Sequence, residues 1–116
     1  MTKREALEII NNQYHLRLNN YNTTFSNING SVPLWWFEPA SEKFEFDFNL
    51  VLNNNRNNTL YYFCIPEGEI RNPREIFYVR QDNGLLQLKI NINSYNFTDN
   101  YSGFNFRNYL REAIHY

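Results

Sequence analysis

The sequence predicts an α+β fold: an N-terminal helix, four to six mostly antiparallel strands in sequential hairpins, and a C-terminal amphipathic helix packed on one sheet face. Three observations predict it. Phe44-Glu45-Phe46-Asp47-Phe48-Asn49-Leu50-Val51-Leu52 alternates between apolar and polar residues, the period of a strand with one buried side. Ala6, Leu7, Ile10 and Tyr14 recur at helical spacing near the start of the chain. Phe106, Tyr109, Leu110, Ala113 and Ile114 do the same near its end, spaced i, i+3, i+4, i+7, i+8. Strands bracketed by helices make an α+β domain.

The first helix is expected over about residues 3–13. Thr2 and Glu5 have capping-box spacing, with a hydroxyl at the cap and a carboxylate three positions on. Residues 15–18 return to a period of two and read as a short strand. Residues 19–31 are polar and turn-rich, with one strand-like stretch at 25–28. The sheet proper opens at Pro33-Leu34-Trp35-Trp36-Phe37, since proline suits a strand start or edge. The alternating strand 44–52 turns through Asn53–Asn58 into Thr59–Ile65. That second strand is apolar on both faces and should lie centrally, covered on each side. Ile76–Arg80 is the next strand, Asp82-Asn83-Gly84 a tight hairpin turn, and residues 86–92 another half-buried strand. Residues 94–103 form a loop rich in Asn and Tyr. No repeat or linker divides the chain, so residues 1–116 read as one domain.

Composition restricts function more than it identifies it. Eleven Lys/Arg against twelve Asp/Glu give a net charge of −1, and both halves of the chain are balanced. Such a chain lacks the field that concentrates a polyanion, so nucleic acid is not favoured as a partner. Eight of the eleven cations are Arg, whose fork suits carboxylate or phosphate. The 21 Asn cluster where loops and strand ends are expected, because Asn tolerates turn backbone. One cysteine, Cys64, excludes an intrachain disulfide and reads as a small buried hydrophobe. With no leader read at the N-terminus, a cytoplasmic location is expected. No apolar run approaches the ~20 residues of a membrane span.

Catalytic templates are sparse. His15 and His115 lie near opposite ends without a second ligand at zinc spacing, and four scattered Gly make no phosphate cradle. Neither cofactor nor metal is expected, and a non-catalytic chain is favoured over an enzyme. The alternative is a divergent Mg²⁺-dependent nuclease-like domain using Asp47, Glu67 and Glu69, with Lys89 stabilising developing charge. Against it, the acid-x-Lys step of such sites is broken, because Glu69 stands where Lys is needed. A nucleic-acid-binding module is a further alternative.

Aromatic residues give the strongest functional signal. The chain carries ten Phe, nine Tyr and two Trp. Neighbours on a strand face opposite ways, so of Trp35 and Trp36 one can join the core while the other stays available. Tyr95, Phe97, Tyr101 and Phe104 make the loop before the last helix aromatic as well. The expectation is therefore a small intracellular binding module acting on a protein partner or its own dimer. Trp35, Trp36, Tyr95 and Tyr101 are its contact residues, and Arg71, Arg74 and Arg80 its polar anchors.

Overall fold

The computed structural model describes residues 1–116 as three layers, a helix on one four-stranded sheet and a three-stranded sheet on the other side. Helix α1 spans Lys3–Tyr14; Thr2 caps it, with the reciprocal Glu5 bond of a capping box, and His15 ends it in the left-handed conformation. The strands are β1 (Thr23–Asn27), β2 (Leu34–Phe37), β3 (Phe48–Asn54), β4 (Thr59–Ile65), β5 (Tyr78–Val79), β6 (Leu86–Asn91) and β7 (Leu110–His115). A one-turn helix α2 (Pro73–Ile76) precedes β5, and 3-10 turns occupy Ser41–Glu45 and Phe106–Tyr109.

The first sheet has the order β1-β3-β4-β7, and the second β2-β6-β5. Adjacent strands are antiparallel except for β1, which runs parallel to β3. Phe48, Leu50 and Leu52 of β3, with Phe63 and Ile65 of β4, face Trp35, Phe37, Leu86, Leu88 and Ile90 of the second sheet. Val51, Leu60, Tyr62 and Ile114 face the opposite way and pack under Ala6, Leu7 and Ile10 of α1. This explains why β4 is apolar on both faces: it is central, with a layer on each side.

Three expectations are corrected. The C-terminal amphipathic helix is absent, and the fold is mostly β. Residues 106–109 make one 3-10 turn and residues 110–115 are strand β7, paired with β4. The helical spacing arises from a bulge. Leu110 opposes Phe63 and Ala113 opposes Tyr61, so residues three apart share a face because one extra residue sits between them. Without β7, the apolar strand β4 would leave an edge of main-chain groups bare.

Second, the alternation from Phe44 to Leu52 does not make one strand. Phe44 belongs to a 3-10 turn and stacks on Phe48 with ring centroids 4.1 Å apart, while Phe46 projects outward, 67% exposed. Nor do the polar residues of the two alternating stretches share one wet face. Asn49 is buried, donating to the Asn22 carbonyl and accepting from the Tyr62 hydroxyl, whereas Gln87 and Lys89 belong to the other sheet. Third, only β3–β4 and β5–β6 are sequential hairpins; β1 with β3, β2 with β6 and β4 with β7 pair across long stretches of chain. Residues 15–18 form no strand.

Candidate binding site on the outer sheet face

Alternation in β2 sends Trp35 and Phe37 into the core and turns Trp36 outward. Trp35 is 1% exposed, while Trp36 is 40% exposed. On β6 the same alternation buries Leu86, Leu88 and Ile90 and turns Gln87 and Lys89 outward. Register then assembles the face: Trp36 lies opposite Lys89, and Tyr78 opposite Gln87. The Lys89 ammonium sits 4.1 Å from the centre of the Trp36 ring, a cation–π contact. Gly84 holds the β5–β6 turn at φ 71°, which is the backbone state the Asn-Gly pair predicts.

Tyr101 joins this face from the loop before β7. Strand β5 is short, and where it stops the loop takes over its place along β6, with Asp99 bridged to Ile90 and the Asn100 amide donating to the Lys89 carbonyl at 2.8 Å. Asp99 is buried and accepts three bonds: from the Lys89 amide at 3.0 Å, the Ser102 amide at 2.9 Å and the Ser102 hydroxyl at 2.6 Å. A buried carboxylate must be satisfied in this way, and here it fixes the loop's conformation. Tyr101 consequently stands edge-on to Tyr78, with ring centroids 5.4 Å apart, and remains 67% exposed.

One guanidinium sets the rim. Arg80 gives Nε and Nη2 to the Asp82 carboxylate at 3.0 and 2.6 Å, and Nη1 to both Glu38 oxygens at 3.0 and 2.9 Å. Glu38 also accepts the Trp36 indole N–H at 3.2 Å, so the ring and the guanidinium share one anchor. The Arg80 bonds hold the Asp82 carboxyl below its ordinary range, and Asp82 first, then Glu38, hold Arg80 above its own. Shallow clefts of about 480 and 520 Å³ flank Trp36; Arg80 lines both, Tyr78 and Gln87 the second. The face thus offers three aromatic rings between two cations and two carboxylates, held in place by bonds among its own members.

Three of the seven expected contact residues, Trp36, Tyr101 and Arg80, meet here. The other four do not. Trp35 is core, its indole N–H donating to the Asn53 carbonyl at 2.9 Å. Tyr95 is 74% exposed under the Arg107 guanidinium, 3.9 Å from its ring centre. Arg71 and Arg74 line a separate cleft with Glu42, Glu45 and Glu75, and Arg74 donates to the Gly84 carbonyl. Sequence reasoning missed Tyr78, Glu38, Gln87 and Asp82. Outward alternation across the Asn-Gly hairpin could have found Tyr78 and Gln87; nothing local marks Glu38.

Of the residues of the nuclease alternative, Asp47 and Glu67 meet, while Glu69 and Lys89 are engaged elsewhere. Asp47 accepts the Glu67 amide at 2.9 Å, Glu69 accepts the Tyr109 hydroxyl at 3.3 Å, and Lys89 covers Trp36. No three His, Cys, Asp or Glu side chains are grouped to hold a metal ion. Another cleft, about 440 Å³, lies beside Phe46 and Tyr21, with Glu42, Asp47 and Lys43 at its wall. No helix is long and apolar enough to cross a membrane. No family model, curated protein or solved structure matches this chain.

Proposed function

We propose that the chain is a small non-catalytic binding module that takes a protein partner on the outer face of the second sheet. The observation that carries this reading is Trp36, a large ring left 40% exposed yet clamped between Lys89 and Glu38. A ring already fixed in place loses little freedom on binding, which lowers the cost of association. Aromatic residues with Arg at their side are what protein interfaces concentrate at their centres. The rim favours a protein over a nucleic acid, because Arg80 is already forked onto Glu38 and Asp82 and has no surplus charge to offer phosphate.

Photo-crosslinking tests this directly. A benzophenone amino acid replaces Trp36 in one variant and the exposed Tyr95 in another, and both are irradiated in host lysate. Crosslinking of a single protein from position 36, absent from position 95, is the expected result. Adducts from both positions alike, or from neither, would sink the reading.

A further inference from the structure

The first sheet has two edges, and the fold treats them differently. Strand β1 is guarded by β2: Ile28 bridges to Trp35, and the Ser26 hydroxyl donates to the Trp36 carbonyl at 3.3 Å. Strand β7 has β4 on one side and no strand on the other. Its outward main-chain groups can be identified. The Tyr116 amide donates to the Asn58 carbonyl, continuing the register that sets His115 opposite Thr59. Antiparallel ladders alternate, so Ile114 also turns its N–H and C=O toward β4, and Ala113 and His115 turn theirs outward. Both residues are exposed, and neither main-chain amide nor carbonyl has a partner within the chain. The devices that commonly blunt an edge, a charge or a bulge, are confined to Arg111 and Glu112 at the start of this stretch, and no Pro or Lys follows them.

We infer that β7 is a self-association edge, pairing antiparallel with β7 of a second copy so that two four-stranded sheets become one of eight strands. A two-fold axis perpendicular to the sheet can sit at only a few residues. Centred on Ile114, it pairs Ala113 with the partner's His115 and His115 with the partner's Ala113, giving four main-chain hydrogen bonds. Ile114 then meets the partner's Ile114, and Glu112 meets the partner's Tyr116, with no like charges opposed. Centring on Glu112 would set two carboxylates against each other. Centring on Ala113 would draw Arg111 into the ladder, where the bulge already breaks the strand. The Glu112 charge and the bulge at Arg111 thus disfavour the two registers toward the start of the strand and favour the one centred on Ile114.

Sedimentation velocity across a concentration series up to about 1 mM tests the inference, since that range reaches the weakest affinity of interest. The full chain is expected to shift from monomer to dimer as concentration rises. Ala113→Pro removes one outward N–H and no bond to β4, and is expected to remain folded and monomeric. Trp36→Ala should dimerise like the parent, which separates this edge from the aromatic face. Should Ala113→Pro fail to fold, amide exchange in the unmodified chain decides: the Ala113 and His115 amides should become protected as concentration rises. A monomer at every concentration, a dimer unaffected by Ala113→Pro, or unchanged exchange at both amides overturns it.

Discussion

The indole N–H of Trp35 donates to the main-chain carbonyl of Asn53 at 2.9 Å, and with that bond a residue of the second sheet grips the end of a central strand in the first. The ring itself packs among Tyr61 and Phe97, with centroids 6.2 and 6.0 Å away. Trp35→Ala would empty a large buried volume and orphan that carbonyl, so urea denaturation should show a loss of about 3–5 kcal/mol. Trp36→Ala, one residue on, should cost under about 1 kcal/mol because that residue is already 40% exposed. Equal losses at the two positions would contradict the division between core and contact face.

Asp99 offers a test of how the candidate face is built. Asp99→Ala would leave three donors without an acceptor, at Lys89 and at both groups of Ser102. The expected loss is about 3 kcal/mol, with the Tyr101 loop released from β6. NMR should show the Asn100–Gly103 amides broadened or shifted while those of α1 stay put. A fully retained loop would mean that Asp99 is dispensable.

The cap of α1 should report pH. The Thr2 amide donates to Glu5 at 3.0 Å and Glu5 accepts in a way that holds its carboxyl below the ordinary range, the Thr2 backbone bond being the larger cause. A carboxyl with a depressed folded-state pKa adds stability above its unfolded value and loses it as pH falls through the folded one. Helix α1 should therefore fray selectively as pH falls below the ordinary glutamate value of 4.5, read by amide exchange in its first turn. Glu5→Gln should remove that acid dependence. Separately, Thr2→Ala should cost about 1 kcal/mol near neutral pH.

Cys64 should react slowly for a free thiol. Burial first, then the charge of Asp47, pushes its pKa up, so less thiolate is present at mildly alkaline pH. Native protein should take up a maleimide several-fold more slowly than the same chain in urea. Equal rates would place the thiol in open solvent.

Local pattern and long-range pairing contributed unequally to what could be read from residues alone. Thr2 and Glu5 announce α1, Asn83-Gly84 announces the β5–β6 turn, and the two apolar faces of β4 announce a central strand; each signal lies within a few residues. The parallel pairing of β1 with β3 has no such signal, because Thr23 to Asn27 must find Asn49 to Asn53 across the whole of β2. The bulge at Arg111 is worse than silent, since its extra residue gives a strand the spacing of a helix. Trp36 and Arg80 could be singled out from residue type and alternation. Their meeting through Glu38 was not, because three strands of one sheet and the turn after Phe37 had to be in place first.

The pairing of β7 with β4 also sets when folding can finish. Strand β4 is complete at Ile65, but its second neighbour arrives some fifty residues later, with Ile114 opposite Leu60. During synthesis at about 5–20 residues per second, the nascent chain therefore holds an apolar strand with one open edge for several seconds. A hairpin of β3 and β4 can form early from local contacts, but closure of the sheet is a late, non-local event of the kind that slows β-rich chains. Throughout that interval the outer edge of β4 is open to pairing with any other strand, and a chain halted before Leu110 keeps it open.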